Sequence, residues 1–147
     1  PGKNTVVMGN EDGDATDSQL FMYVGTKTSA GTFADKAGLT NGDLHVLNVP
    51  NITNDNAFRA AYGKNKAVDV TFAKTIWDGD MKTQQVDHAA KGTEFARVED
   101  GEWDTRITWT HVGLPGNNVI KSCEWWGFET MDEAADDCLN YIVINNL

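Results

Sequence analysis

The sequence predicts a mainly β chain, and three observations carry that prediction. Short runs rich in β-branched and aromatic residues recur along it, turn-forming dipeptides separate them, and helical patterning is confined to two brief stretches. Many short strands divided by turns favour a β-sandwich, a barrel or a propeller over an α/β sheet. The length of 147 residues suits one domain, or part of one.

Strands are predicted over residues 5–8, 19–24, 44–49, 68–76, 107–112 and 141–144. Within 68–76, Val68, Val70 and Phe72 alternate with Asp69, Thr71 and Ala73, the mark of a strand with one buried face, here expected inside an antiparallel sheet. Asp12-Gly13, Asn41-Gly42, Asp78-Gly79, Asp100-Gly101 and Pro115-Gly116 supply turns. Two helices are predicted: a short one over 54–62, and a second opened by a capping box of Thr130 and Glu133 ahead of Ala134, Ala135 and Leu139.

With 22 acidic residues against 12 basic ones the chain carries a formal charge of -10. That balance disfavours unspecific attraction to nucleic acid or anionic lipid and makes divalent cations natural partners. No apolar run approaches the ~20 residues of a membrane-spanning helix, so no membrane insertion is expected. Cys123 and Cys138 flank a segment able to fold back on itself. They form a disulfide if the chain is exported, or pack as reduced thiols if it is not.

Three groups of residues bear on chemistry. Glu11-Asp12-Gly13-Asp14 is an acidic turn after a strand, where carboxylate oxygens can converge on a hard cation; Asp12, Asp14 and Asp17 do not follow the EF-hand spacing. Lys27 closes the strand that follows and can meet a phosphate as a point charge. Arg97 and Glu99 are two residues apart in extended sequence, a spacing that points both side chains to one face. Each group also has a bland interpretation as a solvated turn, a solvated lysine and a surface ion pair. His45, His88 and His111 are scattered and read as structural or solvated.

Taken in order, the segments 9–13, 21–27, 42–46 and 97–103 resemble the PhoX-type alkaline phosphatases. That family has a strand ending in an acidic turn, a strand ending in Lys, a Gly-x-Leu-x-Val strand and an Arg-x-Glu-x-Trp-like turn. The resemblance spans roughly residues 5–104; Val98 stands where the family has a proline, and the family's upstream motif with a ligating cysteine is not in this sequence. It implies that 1–115 is a propeller-blade-like β region and 116–147 a divergent segment with a short helix and a final strand. It further implies a section of a longer, periplasmic or extracellular β-propeller that hydrolyses phosphomonoesters with calcium and iron. Glu99, Glu11 and Asp12 would then bind metal, with Arg97 and Lys27 as the basic catalytic positions beside them. The competing expectation is a non-catalytic, calcium-stabilised exported β module, with some of its five tryptophans offered to a partner.

Overall fold

The computed structural model describes residues 3–11, 18–63, 68–95, 98–104, 124–129 and 141–144. The described chain is mainly β, as the sequence predicts. Strands β1 (Asn4–Asn10), β2 (Leu20–Thr26), β3 (Asp43–Asn48) and β4 (Thr71–Thr75) form an open antiparallel sheet in that spatial order. A second antiparallel sheet joins β5 (Val98–Asp104), β6 (Glu124–Glu129) and β7 (Tyr141–Ile144). Helices α1 (Phe33–Lys36), α2 (Asp55–Tyr62) and α3 (Met81–Lys91) lie in the connections around β3 and β4.

The register divides the first sheet into two faces. Asn10 opposes Leu20, Met8 opposes Met22, and Leu47 opposes Phe72, so these side chains share one face by the two-residue period of a strand. On that face Leu20, Leu47, Val49, Phe58, Phe95 and Val98 form the buried core, with Met8, Ile52, Tyr62, Val68, Val70 and Phe72 packed around it. Helix α2 supplies Phe58 and Tyr62, one turn apart, and the Phe58 ring meets Phe95 edge-on at 6.1 Å. The helix starts because Asn54 Oδ1 accepts the Ala57 N–H at 3.0 Å. It stops at Gly63, whose φ of 66° an L side chain would resist.

Helix α3 covers the opposite face. Phe21 and Val46 are paired across β2 and β3 on that side. The His88 ring meets Phe21 edge-on at 4.8 Å, and a Cβ on Gly92 would collide with the Val46 side chain, so glycine is required where the helix ends. Asp87 and His88 together complete the end of β4. The Ile76 N–H donates to Asp87 Oδ2 at 3.1 Å, and His88 Nε2 donates to the Ile76 carbonyl at 2.9 Å. Side chains thus stand in for a further strand at a sheet edge.

Several elements depart from expectation. The segment 68–76 is shorter as a strand and lies at the edge of the described sheet: among the described residues β4 pairs only with β3, while Val68 and Val70 precede it and pack on the core as irregular backbone. Asp100-Gly101 is not a turn but the interior of β5, next to a bulge between Val98 and Asp100. Helices α1 and α3 and strands β5 and β6 are additions. Strand β7 matches its predicted span, and α2 matches to within its cap residue. The predicted strand at 107–112, the capped helix near 130–139 and both cysteines lie outside the described residues.

Candidate functional site

The candidate site is the end of the sheet where β1 runs into Glu11; residues 12–17 lie outside the described residues. Glu11 continues directly from β1, and its backbone N–H donates to the Gln19 carbonyl at 3.2 Å. Gln19 returns the bond: its N–H donates to Glu11 Oε2 at 3.1 Å. One carboxylate oxygen of Glu11 is thereby fixed by backbone, and the carboxylate is half-buried. Ser18 and Gln19 beside it are buried, and the Phe95 N–H donates to the Ser18 carbonyl at 2.7 Å.

That last bond brings the segment leading into β5 against Ser18, at the start of the β2 side of the hairpin. Ser18 and Phe95 form an antiparallel bridge, and Val98 packs in the same core cluster as Leu20, the residue opposite Asn10. The backbone of Glu99 follows immediately. In the register Val98 faces Glu129 and Asp100 faces Phe128, so Glu99 is the extra residue of the bulge. A bulge breaks the strict alternation of faces, so the spacing of Arg97 and Glu99 does not by itself place both on one face. Arg97 and Asp12 lie outside the described residues.

Two features at this end were not anticipated. Asn10 Oδ1 is buried and has no hydrogen-bond partner among the described residues, an arrangement that costs roughly 1–3 kcal/mol unless something satisfies the oxygen. Asp55, at the start of α2, is buried and holds the Arg59 guanidinium at 2.6 Å. The bridge between Asn54 and Glu94 sets this helix start beside the segment that meets Ser18. The Asp55-x-x-x-Arg59 spacing was a usable signal in the sequence. The state of Asn10 was not, since it depends on what surrounds the amide.

Lys27 is elsewhere. Its N–H donates to the Lys3 carbonyl at 3.0 Å, at the far end of the β1–β2 pair. A paired strand of 7 residues at about 3.4 Å each separates Lys27 from Glu11 by ~25 Å. The structure therefore brings Glu11 and the Glu99 backbone toward one end and leaves Lys27 at the other. Among the described residues, no three His, Cys, Asp or Glu side chains form a metal cage.

The remaining acidic networks have visible structural roles. Asp87 accepts from Lys91 Nζ at 2.7 Å and from the Thr75 hydroxyl at 2.5 Å. Its carboxyl is held well below the ordinary carboxylate range, at about 2, first by the Lys91 hydrogen bond and then by Thr75. Asp35 is lowered to about 2 by the Thr32 and Thr40 hydroxyls. Among the described residues no helix is long and apolar enough to cross a membrane. No protein-family model, curated protein or solved structure matches the chain.

Proposed function

We propose that this chain is an exported, calcium-stabilised β module whose cation seat is the Asn10–Glu11 end of the first sheet. The observation that carries the proposal is the buried Asn10 Oδ1, an oxygen without a partner among the described residues, one residue before Glu11 in the chain. A bound cation would satisfy that oxygen and offset the charge of Glu11. Asp12, the next residue in sequence, and Glu99 are the further carboxylates that the family resemblance assigns to metal. Amide and carboxylate oxygens suit a hard cation such as calcium, which accepts 6–8 oxygen ligands at about 2.3–2.6 Å. Iron, which the family resemblance adds, would need donors from other parts of a longer protein.

The phosphomonoesterase is the second reading, and Arg97 is what favours it. That arginine immediately precedes Val98, which packs in the cluster shared with Leu20. A guanidinium there would hold a phosphoryl oxygen while the metal supplied Lewis acidity and a hydroxide nucleophile. This reading leaves Lys27 out, since its backbone sits at the opposite end of the strand pair. On this reading the two antiparallel meanders would be propeller blades, completed by neighbours in a longer chain.

The two readings separate in one experiment. The chain is melted with and without calcium, and turnover of an aryl phosphate is measured in the same solutions. A calcium-dependent rise in melting temperature without turnover supports the module. Calcium-dependent turnover abolished by Arg97→Ala supports the hydrolase, and neither effect removes both.

A further inference from the structure

One row of the first sheet carries donors of a different kind from those at the Asn10–Glu11 end. Met8 on β1 opposes Met22 on β2, Met22 opposes His45 on β3, and His45 opposes Lys74 on β4. Directly opposed residues of antiparallel strands share a face, so two thioethers and an imidazole stand side by side on the core face of three consecutive strands. Neighbouring strands lie about 4.8 Å apart, a gap that a methionine side chain with its rotatable bonds can span. Met22, the middle member, is buried at 7% exposure, and Met8 and His45 are half-buried on either side of it.

The imidazole is the member whose chemistry is incomplete. His45 Nδ1 is buried and has no hydrogen-bond partner among the described residues. Either tautomer then carries a cost, as an N–H without an acceptor or as a lone pair without a donor. Neither neighbour in the row relieves it. Lys74 Nζ is held by Asp43 Oδ1 at 2.7 Å, and the thioether of Met22 has no hydrogen to donate. His88, on the opposite face, differs in this respect, because its Nε2 meets the Ile76 carbonyl at 2.9 Å. A neutral imidazole with an unshared lone pair is the form in which histidine ligates metal.

We propose that Met8, Met22 and His45 form a binding site for a soft monovalent metal ion, copper(I) first among them. Thioether sulfur selects soft ions, and imidazole suits copper. All three ligands are uncharged, and the cost of bringing an ion into a low-dielectric interior rises with the square of its charge. A single positive charge is therefore tolerated where calcium or zinc would lack the carboxylates or thiolates that offset two. The exposed Lys74–Asp43 pair closes the row on its solvent side, so an ion reaches His45 from the β4 edge without opening the leucine and phenylalanine core. Calcium takes oxygen ligands and not thioethers, so this site and the Asn10–Glu11 seat stand or fall separately.

The test uses the full chain, with any free thiol of Cys123 and Cys138 first alkylated so that neither can take the metal. Copper(I) is supplied without oxygen in competition with a chromogenic copper(I) chelator. The wild type is expected to bind one ion per chain, and of its four methionine methyl signals in NMR those of Met8 and Met22 should shift while those of Met81 and Met131 stay in place. Met22→Leu and Met8→Leu, which nearly conserve volume, should each weaken binding by about tenfold or more. His45→Phe should do the same. Met81→Leu, on the exposed side of α3, should leave the affinity unchanged and serves as the control. Absence of binding in the wild type, shifts at Met81 or Met131 instead of Met8 and Met22, or equal affinity in Met22→Leu and Met8→Leu would each overturn the proposal.

Discussion

The β1–β2 pair ends in two different ways, and the contrast shows how one hairpin can carry two chemistries. At the Glu11 end, polar groups turn inward: Ser18 and Gln19 are buried, Asp55 is buried with Arg59 against it, and an oxygen of Asn10 is left without a partner. At the Lys27 end, polar groups are satisfied within a single loop, and the apolar side chains turn outward. The first end has an acceptor oxygen lacking a partner among the described residues; the second has apolar surface lacking cover. Burial makes the difference, since an unsatisfied oxygen costs far more inside than at the surface.

The sharpest way to break that contrast is to remove apolar volume at each end. Leu20 is fully buried opposite Asn10, and Leu20→Ala should cost about 2–5 kcal/mol in urea unfolding. Leu39→Ala, on exposed surface, should change stability by no more than about 0.5 kcal/mol. Equal losses would mean that the Lys27 end is covered in the folded protein.

Capping gives a smaller contrast. Asn54→Ala removes the acceptor for the Ala57 N–H at the start of α2 and should cost about 1 kcal/mol, because that helix carries Phe58 into the core. Thr32→Ala removes a cap from a helix of 4 residues with no buried side chain, so its effect on global unfolding should be the lesser of the two.

Acid should act on both α1 and α3. The folded-state values of Asp35 and Asp87 are lowered to about 2, so the folded protein binds fewer protons than the unfolded chain between that value and the ordinary carboxylate range. Their contribution is complete above about pH 4 and is lost as pH falls toward 2. Asp87→Asn should flatten part of that loss in acid unfolding. A profile unchanged from the wild type would mean that the α3–β4 tie does not depend on charge.

The sequence made the first sheet legible where local preference and burial agree. β1, β2 and β3 are apolar runs bounded by turn residues, and α2 has both its Asn cap and its Phe58–Tyr62 spacing. Helix α3 was not legible because only His88 is buried along it, so almost no apolar stripe marks its 11 residues. Its anchors, Asp87 and His88, look like solvent-facing residues until Ile76 is seen beside them. Of the candidate site, Glu11 was visible as part of an acidic turn. The distance to Lys27 was not, because local order says nothing of which end of a strand a residue occupies until the register is known. The relative direction of Arg97 and Glu99 was not readable from spacing alone, because a bulge at Glu99 interrupts the alternation on which that spacing relies, and Arg97 lies outside the described residues.

The most direct test of the cation seat is calorimetric titration of calcium into the whole chain and into Glu11→Gln, which keeps the shape of the side chain and removes its charge. The account predicts a binding heat with a dissociation constant near the 10⁻⁴–10⁻³ M range of extracellular calcium modules, weakened about tenfold or more in Glu11→Gln. No calcium heat in the wild type, or equal affinity in the two proteins, would contradict it.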